Sequence, residues 1–201
     1  MSKGVCEYAF AVLENKLKGT PLKLLTSYEP DTTLTSQRYP LFVTWNRNGN
    51  LRGCIGTFAD MPLEQGVKRF ALSLAFQDLR FPPITAAELP QLSVSVTLLA
   101  NFTPIDKWDD WEVGVHGLRV EFDYHHRPHS GTFLPLVAEE EGWDKKTTVW
   151  NLLRKSDVFD VAKSDTVRFY EQALAHKTME LTRYEGLKLL MQWSEYEQTH
   201  K

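Results

Sequence analysis

The chain has 201 residues, 42% hydrophobic and 24% charged, with a formal net charge of −3 and a pI near 6.1. That composition supplies a buried core and excludes a chain dominated by a disordered tail. It also offers no global positive field to collect phosphate backbones, so nucleic acid is not an expected partner.

Apolar residues at Val5, Tyr8, Ala9, Val12, Leu13 and Leu17 follow a 3.6-residue rhythm and predict a first helix, stopped by Gly19 with Pro21 beyond it. Glu7, Glu14, Lys16 and Lys18 interrupt every apolar stretch there, which argues against a signal peptide. Nowhere does the chain approach the roughly 20 apolar residues of a spanning helix, so no membrane partner is expected. Pro40 to Trp45 reads as a strand, Asn46-Arg47-Asn48-Gly49-Asn50 as the turn after it, and Leu51 to Phe58 as the returning strand. Asp60 is placed to cap the next helix, with Pro62 in its first turn and Leu63, Val67, Phe70, Ala71 and Leu74 as its buried face. Phe81-Pro82-Pro83 requires that helix to have ended, because a residue before proline avoids the helical region.

Leu92 to Leu98 alternates aliphatic and hydroxyl side chains, the pattern of a half-buried antiparallel strand. Val113 to Phe122 reads as another strand, with Gly131 to Val137 as its partner across a polar loop. Asp144 is expected to cap a helix through Trp150, Leu152 and Leu153. Near the end, Thr178 to Thr182 alternates like a strand, whereas Leu187, Leu190, Trp193 and Tyr196 have helical spacing. The expected fold class is α+β, a mostly antiparallel sheet with packed helices. With no linker in the sequence, residues 1–201 read as a single domain of two lobes.

The segment with most chemical content is Leu51-Arg52-Gly53-Cys54-Ile55-Gly56. On an extended backbone Arg52 and Cys54 share one face, making thiol and guanidinium neighbours. A nearby cation favours the thiolate, the form that attacks electrophiles. Gly53 and Gly56 permit a bulge or the close approach of another backbone or a ligand. The alternative is that the glycines serve a tight sheet contact and the cysteine fills a small space. Cys6, beside the apolar stripe of the first helix, reads as a packing residue. Two cysteines in different elements give no disulfide framework, which fits a reducing cytosol or nucleus.

The same segment strongly resembles the signature of the AMME syndrome candidate protein family, the AMMECR domain. The resemblance continues, in the family's order, through Asp78-Leu79-Arg80-Phe81-Pro82-Pro83, Val113-Gly114-Val115-His116-Gly117-Leu118 and Thr132-Phe133-Leu134-Pro135-Leu136-Val137. It runs from the first helix to Leu181-Thr182-Arg183-Tyr184. It implies an α+β fold of two unequal subdomains separated by a cleft, with the Cys54 segment facing the cleft, and names no reaction.

His116, between two glycines, is a candidate acid or base for Cys54, the alternative being a histidine held within the sheet. Asp78 and Arg80 are candidates to bind a polar substrate or one another. Tyr124-His125-His126-Arg127-Pro128-His129 invites a metal reading, but no second ligand cluster accompanies it, so a solvated turn is expected and no metal or other cofactor is assigned. Two functional readings follow. In one, Cys54 is a nucleophile or redox thiol, with Arg52 and His116 assisting it and Gly53, Gly56, Asp78 and Arg80 binding substrate. In the other, the same cleft is a non-enzymatic docking surface. The expected partner is accordingly a small molecule or a protein.

Overall fold

The computed structural model describes residues 2–200. Gly4–Lys18 form α1, whose stripe from Val5 to Leu13 is buried. Gly19 ends it at φ 72°, a left-handed conformation that glycine adopts without cost, and its N–H donates to the Asn15 carbonyl at 2.8 Å. A short α2, Thr32–Ser36, is capped by Asp31, whose carboxylate accepts from the N–H groups of Thr33 and Leu34.

β1, Arg38–Arg47, and β2, Asn50–Pro62, pair antiparallel. Asn48 (φ 50°) and Gly49 (φ 80°) connect them with the two positive φ values that a tight hairpin of this twist requires. α3, Leu63–Phe76, buries the expected face, and the indole N–H of Trp45 donates to the Ala71 carbonyl at 3.0 Å, fixing β1 to this helix. Asp60 does not cap α3: β2 continues past it to Pro62, which is itself the cap residue and makes no side-chain hydrogen bond there. An irregularity in the register, where Tyr39 faces Met61 but Leu41 faces Thr57, takes up the extra length of β2.

β3, Leu92–Ile105, pairs antiparallel with β1. Its hydroxyl face is covered as well as its aliphatic one, Ser93 and Ser95 being buried, so the expected half-buried strand is enclosed on both sides. β4, His116–Tyr124, begins three residues later than its sequence suggests, because Gly114 adopts φ 79° and the chain turns from Glu112 to His116. β5, Arg127–Phe133, pairs with β4 through a hairpin at His125 and His126, both with positive φ. The chain leaves β5 at Leu134 instead of extending to Val137, which opens the short α4, Val137–Glu140.

α5, Lys145–Lys155, is capped by Asp144, which accepts from the Thr147 N–H at 2.7 Å. α6, Thr166–Ala175, precedes β6, Met179–Gln192, and α7, Trp193–Thr199, closes the chain. Leu187 and Leu190 therefore lie on a strand, and helix begins only at Trp193.

The fold is α+β with antiparallel strands. Two compact units are distinguishable: residues up to Leu99 with those from Leu187 onward, and Ala100–Gly186. In the first, Trp45, Phe10, Leu63 and Val94 centre a core shared by α1, α3 and the β2-β1-β3 strands. In the second, β6-β4-β5 pack with α5 and α6 around Val120, Leu152 and Tyr170. Tyr170 donates to the Val149 carbonyl at 3.1 Å. No helix among the described residues is long and apolar enough to cross a membrane.

Candidate functional site

The β1–β2 register decides the geometry around Cys54. Trp45 faces Gly53 and Asn46 faces Leu51, leaving Arg52 as an extra, bulged residue. A bulge interrupts the alternation of side chains, so Arg52 and Cys54 are no longer required to share a face. Arg52 is only 7% exposed, whereas Cys54 is exposed. The Arg52 guanidinium stacks over the Phe81 ring at 4.5 Å and donates from Nη2 to the Pro82 carbonyl. Its Nη1 is buried and has no protein hydrogen-bond partner.

The cation that shares a cavity with Cys54 is Arg80. After α3 ends at Phe76, the chain turns so that Asp78 and Arg80 stand beside β2. Asp78 accepts from Arg80 Nε at 2.9 Å and Nη2 at 2.8 Å, and also from the Arg80 backbone N–H at 3.1 Å. These bonds hold the Asp78 carboxyl down to about 2, with Arg52 adding a smaller effect. The Arg80 guanidinium is correspondingly raised, first by Asp78 and then by the nearby Cys54 sulfur.

Cys54, Ser73, Gln77, Asp78 and Arg80 line a cavity of about 440 Å³. Gly53 explains how β2 comes so close. A Cβ there would lie 2.9 Å from Asp78 Oδ2 and 2.9 Å from Leu74 Cδ2. Gly56 has another role, since its added Cβ would strike the Leu41 carbonyl at 2.2 Å and the Phe42 ring at 2.5 Å, which is a sheet contact. Ser73 and Gln77 were not singled out from sequence; their four-residue spacing, just before Asp78, is the signal that places both on one face of the helix end.

His116 belongs to the second unit. Its Nδ1 accepts from the Glu112 N–H at 3.0 Å. In the neutral ring the proton then sits on Nε2, so neither nitrogen offers a free lone pair while that bond holds. Around the hairpin histidines, His125 Nε2 lies 3.3 Å from Asp160, and His129 Nδ1 lies 2.6 Å from the Ser156 carbonyl. Among the described residues no three His, Cys, Asp or Glu side chains are placed to hold a metal ion. Cys6 is fully buried, and burial pushes its thiol up to about 12.

The AMMECR1 family profile matches residues 6–188 of the chain. The chain belongs to the AMMECR1 family. Relatives include an uncharacterised protein of Kluyveromyces lactis, 39% identical over 80% of this chain and 75% of that protein. Another from Schizosaccharomyces pombe is 33% identical over 96% of this chain and 94% of its own length. The crystal structure of an uncharacterised protein from Pyrococcus horikoshii superposes with a TM-score of 0.64 at 24% identity, covering 93% of this chain and 89% of that one, a likeness of fold. Membership in the AMMECR1 family agrees with the four motifs read from sequence.

Proposed function

We propose that this AMMECR1-family protein acts through the Cys54 thiol, as nucleophile or redox-active group, on a small ligand held against the Asp78–Arg80 pair. The observation that carries the reading is one exposed thiol that shares a cavity with a guanidinium, while the second thiol of the chain is buried. Attack of the sulfur on a carbonyl carbon of the ligand forms a C–S bond while the C=O π pair moves onto the oxygen, which takes up a proton from water as the thiol proton is given to water. Arg80 places a positive charge in the thiol's cavity, Asp78 orients Arg80, Gly53 keeps the pair close, and Arg52 braces the Phe81-Pro82 corner. A base role for His116 requires release of its bond from Glu112, so the proposal gives it none. Gly56 sets the sheet contact that holds the strand.

A chloroacetamide probe applied to the folded protein tests this, with the modified residue located by peptide mass spectrometry. Labelling is expected at Cys54 and not at Cys6, and is lost in Cys54→Ser. Equal labelling of both thiols, or none, counts against the reading. Two lone cysteines, one of them sealed in the core, support action in a reducing compartment, the cytosol or nucleus. A profile match spanning both units supports treating them as one family domain.

A specific observation favours a second reading, an interaction module. Ile55 is 40% exposed and Leu79 fully exposed, placing two apolar side chains around the same cavity. Under that reading Leu79→Asp abolishes recovery of a protein partner, whereas Cys54→Ser leaves it intact.

A further inference from the structure

The Arg52 guanidinium is a buried cation without a counter-ion. No ion pair among the described residues includes it. Asp78 feels its charge but directs both carboxylate oxygens at Arg80. The Pro82 carbonyl and the Phe81 ring engage Arg52, and both are neutral. Isolating a charge from water without an ionic partner is costly, and an unsatisfied nitrogen adds to that cost.

Arg52 also lines a cavity of about 340 Å³, different from the one that holds Cys54. Asn48 and Asn50, from the β1–β2 hairpin, also line it, the Asn48 side-chain amide donating to Gln91 Oε1 at 3.3 Å, and Phe81 and Pro82 supply an apolar side. The remaining charges there cancel: Arg47 Nη1 pairs with Glu88 at 2.9 Å, and Glu88 also accepts from the Thr85 N–H at 2.8 Å. The cavity is therefore left with one uncompensated positive charge, supplied by Arg52.

We propose that this cavity is an oxyanion-binding site, in which Arg52, with the side-chain amide of Asn50, receives the carboxylate or phosphate group of a small molecule. A guanidinium suits either anion through its fixed charge and through the N–H groups that the bond to the Pro82 carbonyl leaves over. The bulge at Arg52 gives the site its geometry, turning the side chain towards the Phe81-Pro82 corner instead of along the regular strand. The inference does not depend on a reactive thiol, because the readout below involves no cysteine chemistry.

Isotope-labelled protein is titrated at pH 7 with inorganic phosphate and, separately, with acetate, ionic strength being held constant with chloride. Saturable amide shifts confined to residues 48–52 and to Phe81 are expected with at least one probe, and the tighter probe identifies the group that the site prefers. Arg52→Met is expected to weaken binding by about tenfold or more, the usual scale of a lost charge-assisted hydrogen bond. Asn50→Asp, at an exposed hairpin position that leaves Arg52 in place, is expected to abolish it and decides the matter if Arg52→Met does not fold. No saturable response to either probe overturns the proposal, and so does affinity that Asn50→Asp leaves unchanged.

Discussion

At the residue scale, Gly53 packs closely against Asp78 and Leu74. Gly53→Ala introduces a methyl where only 2.9 Å is available to each. The expected cost is about 1–3 kcal/mol, typical of an overpacked site, measured as a lower urea midpoint. Asp78 supplies a pH prediction. Its folded carboxyl is held at about 2, below the usual value, so the pair's contribution is present above the unfolded carboxylate range and is lost as pH falls through the folded value. Asp78→Asn therefore lowers stability at neutral pH, and the difference from the parent closes as pH approaches 2. Denaturation midpoints of both proteins along a pH series check this; a gap that stays constant to the lowest pH contradicts it.

At the scale of elements, caps and turns were the most legible features, because their signals are local. Gly19, Asn48-Gly49 and Asp144 each stand where the backbone demands them. Removing the α5 cap with Asp144→Ala is expected to cost about 1 kcal/mol, read from a thermal or urea transition. What the sequence misplaced depended on pairing across distance. Asp60 looks like a cap until β2 is seen to run on opposite β1, and Val113 looks like a strand residue until Gly114 turns the chain. Likewise Arg52 and Cys54 share a face only if β2 is regular; the bulge that separates their environments is a property of the register with β1, which periodicity along one strand does not encode. Of the residues singled out from sequence, Cys54, Asp78 and Arg80 line one cavity with Gly53 packed beside Asp78, whereas Arg52, His116 and Gly56 do not line it, and that Arg80 and not Arg52 shares the cavity with the thiol was not legible.

At the scale of the whole molecule, buried phenols and thiols set a limit on alkaline stability. Burial raises Tyr170 and Tyr196 well above the usual phenol value, raises Tyr8 similarly, and lifts Tyr184 and Cys6 to about 12. Groups raised in the fold contribute stability that is fully present below their unfolded values, near 10 for tyrosine, and lost as pH climbs towards the folded ones. Unfolding midpoints are expected to fall steeply above about pH 10, with tyrosinate absorbance appearing together with unfolding; full tyrosine ionisation in a still-folded chain contradicts this. The family profile that spans residues 6–188 gives the fold a lineage, whereas the proposed chemistry rests on one sulfur and its neighbour. The most direct test is the rate at which iodoacetamide alkylates Cys54 between about pH 5 and 9, a window around the ordinary thiol value, in the parent and in Arg80→Met. The expected result is a neutral-pH rate several-fold above that of a free peptide thiol, falling towards the peptide value in Arg80→Met; a parent rate equal to the peptide's across the range, and indifferent to Arg80, contradicts the account.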